Sequence, residues 1–281
     1  MKIEYSNGVM SVSKIVFDPR LTLMDSAQVF HWTEQDGVFR GTCGGHSACV
    51  QQTEDGFCVY GVRADEIEFW SNYFDLERDY EAVIDACAAY PMAQQAMRLL
   101  PGLRVLRQSP WETLLTFIIS ANNNVSRIRT IVHKLIKEFG TDGAFPTPAQ
   151  LSEADEEALR GIGCGYRAPY LKGSACMVRD GFDPEALSEM AYEAAHEKLL
   201  TLPGVGDKVA DCVQLFGMGH SEAFPVDVWV ERLMRQWFFG GQKLGKKALR
   251  IRAQEMFGKN AGIIQQSLFH CARLGLIELE K

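Results

Sequence analysis

The chain has 281 residues, with 29 Lys and Arg against 36 Asp and Glu, a formal charge of −7, 47% hydrophobic and 23% charged residues. That length allows a sizeable core, as one large or two to three smaller domains. No apolar run approaches the ~20 residues of a membrane span, and MKIEYSNGVMSVSK lacks the apolar centre of a signal peptide, so a cytoplasmic protein is expected, bacterial rather than nuclear.

Residues 1–70 alternate and break often. FHWTEQDGVFRGTC and FCVYGVRADEIEFW show a two-residue period with Gly and Asp turns between, which predicts an antiparallel sheet. Around Tyr73 the period becomes helical. Helices are expected over roughly 79–97, 110–120, 124–139, 148–159, 166–180, 190–201, 207–218, 227–237, 245–257 and 260–275. Gly140, Gly143, Pro146 and Pro148 mark one loop and Pro184 another. The expected fold class is α+β, with no internal repeat. An N-terminal antiparallel β-sheet domain with the first helix fills 1–97. An all-α body fills 98–281 and contains a helix–hairpin–helix at about 190–218.

The net charge argues against nucleic acid, but its distribution does not. Residues 1–97 hold 6 basic against 15 acidic residues, net −9, whereas residues 98–281 hold 23 against 21, net +2. The window 98–137 carries Arg98, Arg104, Arg107, Arg127, Arg129, Lys134 and Lys137 against Glu112 alone. Such a stripe tracks a phosphate backbone or is a solvated helix face; charge does not decide. The eight cysteines include no Cys-x-x-Cys pair and read as reduced, mostly buried thiols. Cys43, His46 and Cys49 come nearest to a zinc set but do not close one. After Phe257 only Cys271 remains, which excludes a cysteine-ligated iron–sulfur cluster there.

The densest chemistry lies in LPGVGDKVADCVQLF, from Leu202 to Phe216, followed by PVDVW, from Pro225 to Trp229. Gly204 and Gly206 make a tight turn between helices, where backbone can approach closely. The N–H groups opening the next helix favour a phosphate. A lone turn of this kind more often only caps and packs. Lys208 falls in the first turn, where the helix dipole disfavours a cation and favours a nucleophilic amine; ordinarily a lysine there is solvated surface. Asp227 opens the next helical run. It is a good N-cap, and the same carboxylate can stabilise positive charge growing on a sugar C1′.

LPGVGDKVADC with PVDV resembles the helix–hairpin–helix Gly/Pro-Asp superfamily of DNA glycosylases. SANNNVSRI (Ser120–Ile128), GCGYRAPYL (Gly163–Leu171), RVLRQSPWE (Arg104–Glu112) and QQSLF (Gln265–Phe269) are similar to its 8-oxoguanine branch, and the likeness runs from about Leu21 to Phe269. The resemblance implies a bifunctional glycosylase and β-lyase that excises 8-oxoguanine opposite cytosine from duplex DNA. It makes Lys208 the nucleophile that forms an imine, and Asp227 the carboxylate beside the oxocarbenium-like transition state. Phe269 and Cys212 would sandwich the flipped base, and Gln265 would read its Watson–Crick edge. Asn122, Arg127 and Arg167 would hold the orphaned cytosine, and Tyr166 would wedge into the stack. Without the resemblance, Phe269 and Cys212 read as core, and Tyr166 and Arg167 as a helix start.

Three positions depart from the family pattern. Ala27 stands where the family has a glycine whose carbonyl meets the N7–H of the oxidised purine. Trp229 replaces a histidine near a DNA phosphate, and Phe216 replaces a methionine in the pocket wall. The protein is expected to act as a monomer, with no membrane contact and no cofactor. The sequence leaves open a cation held by carbonyls near Leu202 and Val205. It also leaves open two rivals: a broad glycosylase for alkylated or oxidised purines, which would use water, and an inactive lesion-DNA-binding protein.

Overall fold

The computed structural model describes residues 1–278. Strands β1 (Lys2–Ser6), β2 (Val9–Ser13), β3 (Thr33–Gln35), β4 (Val38–Cys43), β5 (His46–Gln52) and β6 (Gly56–Tyr60) form one sheet in the order β1-β2-β6-β5-β4-β3, antiparallel throughout. Asn7 and Gly8 join β1 to β2 with φ of 48° and 79°, and Asp36 and Gly37 join β3 to β4 with 53° and 75°. Two consecutive left-handed residues are what a two-residue type I′ hairpin requires, and Asn-Gly and Asp-Gly supply them at low cost. The register lines up Met10, Val59, Val50 and Phe39 across four strands. All four are buried, on a core with Trp32, Trp70, Tyr73 and Phe74. Trp32 donates its indole N–H to the Tyr73 hydroxyl at 2.9 Å, so the polar ends of both rings are satisfied inside the core.

Helix α1 (Ile67–Tyr73) closes the sheet region and was not expected, because ADEIEFW alternates as a strand does. A short π-helical turn over Arg20–Asp25 was also unforeseen. The helical part begins with α2 (Tyr80–Ala86) and α3 (Pro91–Arg98), where one helix was expected over 79–97. Pro91 has no N–H to continue the first helix, and Tyr90 before it leaves the helical region at φ −129°, ψ 79°. Next come α4 (Pro110–Ser120), α5 (Val125–Phe139), α6 (Pro148–Glu153) and α7 (Glu156–Gly161). The break between α6 and α7 lies at Ala154, whose ψ is 142°. Then follow α8 (Ala168–Arg179), α9 (Tyr192–Leu199), α10 (Asp207–Val213), α11 (Val228–Phe238), α12 (Lys246–Phe257) and α13 (Ala261–Leu274). A π-helical turn, Gln214–Met218, extends α10.

Helix α13 is the centre of the helical core. Every residue from Ala261 to Leu268 is buried. A Cβ at Gly262 would come within 2.3 Å of Leu215 and 2.6 Å of the Ala223 carbonyl, so this helix packs where only glycine fits. The two cores interlock along the chain: Phe30 joins the helical one, and Leu106 returns to the sheet one.

Candidate active site

A cavity of about 870 Å³ opens where α4, α5, α10, α11, α12 and α13 meet the segment carrying Ala27. Lys208 and Asp227 both line it. The half-buried Lys208 sits at the second position of α10, where its ammonium group donates to Ser120 Oγ at 3.1 Å and lies 4.8 Å from the centre of the Phe117 ring. Asp227 is the N-cap of α11. Its Oδ1 accepts from the N–H groups of Trp229 and Val230 at 2.9 and 2.8 Å. The capping geometry and a position on the cavity wall therefore coexist at one residue, and capping fixes the carboxylate where a reacting group can meet it.

The hairpin before α10 is shaped by contact. Gly204 has φ 79°, and a Cβ there would sit 2.7 Å from the Tyr170 ring. Gly206 is the N-cap of α10 in extended conformation, and both glycines line the cavity. Leu202 and Val205 anchor the turn in the core. Beneath it, His196 of α9 faces two carboxylates of α10, with Nε2 3.0 Å from Asp207 Oδ1 and Nδ1 3.2 Å from Asp211 Oδ1. Arg250 of α12 reaches the same pair at 3.0 and 3.5 Å, and Tyr192 donates to Asp211 Oδ1 at 2.6 Å. Burial opposes a charge on His196, but its bonds to Asp211 and Asp207 outweigh that and hold its pKa above the usual 6.5. The bond from His196 lowers the Asp207 pKa in turn, with Arg250 adding to the effect.

Of the remaining expected site residues, Ala27, Asn122, Trp229 and Phe269 line the cavity. Ala27 holds a left-handed φ of 57° and Asn122 one of 49°. Trp229 is 44% exposed, with the Arg232 guanidinium 5.8 Å from its ring centre. Phe216 is a correction: it does not face the cavity but stacks behind Phe117 at 5.4 Å and 15°, and Phe117 is the lining ring. Cys212 and Gln265 also stand one layer back, 2% and 4% exposed. Burial pushes the Cys212 thiol up to about 12, although the nearby Lys208 opposes this, so it remains a thiol. Gln265 donates to the Pro225 carbonyl at 3.1 Å, and its own Oε1 finds no partner among the described residues.

Arg167 differs more. Its buried guanidinium donates to the carbonyls of Ala121, Asn122 and Cys164, so in this state it holds the asparagine turn and does not project outward. The reason is the turn itself, which offers a fan of carbonyls that a guanidinium can satisfy together. Tyr166 is half exposed beside it, 4.4 Å under that guanidinium, and Arg127 is exposed on the first turn of α5. Sequence reasoning missed Phe117, Ser120, Lys246, Lys247 and Arg250 as lining residues. Ser120 opens the quoted asparagine motif and was within reach; the others lie in helices with no local signal.

Comparison with known proteins identifies the family of the chain. Residues 9–114 match the family model of the 8-oxoguanine DNA glycosylase N-terminal domain, and residues 115–259 match that of the HhH-GPD superfamily of base excision DNA repair proteins. A probable N-glycosylase/DNA lyase of Methanothermobacter thermautotrophicus is 31% identical over 73% of this chain and 73% of its own length. The N-glycosylase/DNA lyase OGG1 of Arabidopsis thaliana is 32% identical over 87% of this chain and 74% of its own. The 8-oxoguanine glycosylase/lyase of Clostridium acetobutylicum, solved with double-stranded DNA containing cytosine opposite 8-oxoguanine, superposes with a TM-score of 0.91 at 32% identity, covering 99% of both chains.

Proposed function

Because the chain belongs to the HhH-GPD superfamily of base excision DNA repair proteins, in its 8-oxoguanine branch, and is a DNA glycosylase and lyase, we propose that it excises 8-oxoguanine opposite cytosine with Lys208 as the nucleophile. The carrying observation is the placement of a half-buried amine, an anchored carboxylate and the aromatic Phe269 around one cavity. In its free form the Lys208 amine attacks C1′ of the everted nucleotide, the bond to the base breaks, and the base leaves with the electron pair. Asp227 lies ready to offset the positive charge on the sugar as that bond lengthens. The amine loses its proton and the sugar ring opens to an imine. Loss of a proton from C2′ then expels the 3′ phosphate and cuts the strand.

The flipped purine packs on Phe269. The Gln265 amide oxygen, which finds no partner among the described residues, suits a donor on the base edge. Asn122 and Arg127 serve the opposite cytosine, and Tyr166 fills the gap in the stack. Arg167 joins them once DNA competes for its donors. Ala27 supplies a carbonyl to N7–H, a donor that 8-oxoguanine has and guanine lacks. Trp229, the hairpin glycines Gly204 and Gly206, and α12 lie toward the DNA backbone. The test is borohydride trapping on a duplex with one 8-oxoguanine opposite cytosine. The native chain should give a covalent adduct and Lys208→Gln none. Base release without an adduct in the native chain would instead point to a water-using glycosylase.

A further inference from the structure

Five consecutive residues, Met24 to Gln28, bring Ala27 to the cavity, and side chains from distant elements hold four of their carbonyls. Arg129 of α5 donates to Met24 O at 2.7 Å. Arg273 of α13 donates to Asp25 O. Gln266, also on α13 and 2% exposed, donates to Ser26 O at 2.7 Å. Gln108 donates to Gln28 O at 2.9 Å. Among the described residues nothing donates to the carbonyl of Ala27, the member of the five that lines the cavity. The Gln28 side chain ties the segment further, donating to Thr22 O and Arg104 O and accepting from Leu106 N.

This pattern constrains one peptide plane. The bonds to Ser26 O and Gln28 O bracket the Ala27–Gln28 peptide on both sides. Ala27 holds φ 57°, where an L residue resists staying without support. If the bracketed peptide flipped, it would exchange a C=O for an N–H. That exchange reverses which purine it accepts: the N7 of 8-oxoguanine is a donor, and the N7 of guanine is an acceptor. Two half-buried guanidinium groups are spent on backbone carbonyls here, and burial lowers the pKa of each. We infer that Gln266 and Gln108, which bracket the Ala27–Gln28 peptide, with Arg129 and Arg273 holding the residues before it, are positioning residues that lock that peptide with its carbonyl as the cavity's acceptor, and so set the discrimination between the oxidised purine and guanine. Helix α13 thereby contributes to both parts of recognition, since it also carries Gln265 and Phe269.

The inference rests on the excision reading above, and its test separates the two. Single-turnover excision of 8-oxoguanine and of guanine, each opposite cytosine, is measured beside strand cleavage at a preformed abasic site, which needs no base recognition. Gln266→Met keeps length and loses the donor. Excision of 8-oxoguanine should fall about tenfold, on the scale of one hydrogen bond. Abasic cleavage should stay within about twofold and guanine release should hold or rise. Arg129→Met should act in the same direction should Gln266→Met fail to fold, and Arg129→Lys should restore part of the loss. An unchanged ratio of 8-oxoguanine to guanine excision, or excision and abasic cleavage falling together, overturns the lock. A native chain that cleaves abasic sites but releases no 8-oxoguanine overturns the substrate reading itself, and the lock with it.

Discussion

Ala27 shows how much one methyl group can matter. Its left-handed φ of 57° costs an L residue ~1–2 kcal/mol, which glycine avoids, while glycine adds ~0.5–1 kcal/mol of chain entropy to the unfolded state. The difference predicts that Ala27→Gly stabilises the protein by about 0.5–1 kcal/mol, read as a rise of about 1–4 °C in melting temperature. A fall would mean that packing of the methyl outweighs the strain. At this scale the sequence was informative where a residue's role is local. Asp227 was legible as an N-cap and is one. Depth was not legible. Phe216 and Phe117 are both buried aromatics on helical turns, and only their stacking order decides which of them meets the cavity. The same limit applies to Arg167, whose partners include the carbonyls of Ala121 and Asn122, 46 and 45 residues away.

Among the elements, the hairpin helices α9 and α10 are joined by charge as well as by packing. His196 spans Asp207 and Asp211, one helical turn apart on α10 and flanking Lys208 in sequence. Its folded pKa lies above 6.5. The folded state therefore binds this proton more tightly than the unfolded one, and the stability it confers is complete below pH 6.5 and lost as pH rises through the folded value. His196→Gln should accordingly cost most at pH 6 and progressively less toward pH 9, measured by denaturant titration at each pH; a pH-independent difference would assign the residue to packing alone. None of this was visible in the sequence, since His196 lies in a plain helical run. Some element starts were better placed: the helices expected from 110, 124 and 148 begin within a residue of there, as α4, α5 and α6. Lengths were overestimated where a proline opens a new helix, as at Pro91, because period alone does not register the break.

Across the whole molecule, the sheet and the helices are linked by Glu112. It lies on the first turn of α4, is 6% exposed, and accepts from the Gly44 N–H in the β4–β5 turn at 2.9 Å. Its second oxygen has no partner among the described residues. Burial raises its pKa to about 7, with the Gly44 bond opposing and Glu185 adding a little. The folded state thus prefers the protonated acid. Its ionisation penalty grows as pH rises above the unfolded value of 4.5 and is complete above about 7, on the order of 3 kcal/mol. Glu112→Gln, which cannot ionise, should flatten the decline in stability between pH 4.5 and 7; an equal slope in both proteins would show the carboxyl to be better solvated than its surroundings imply.

The bonds around Ala27 also have a consequence in time. Their donors come from residues 129, 266 and 273, while their acceptors were laid down at 24, 25 and 26. On a ribosome residues 24–28 and the hairpin emerge well before α13, so the segment that carries Ala27 is fully braced only once that helix has docked.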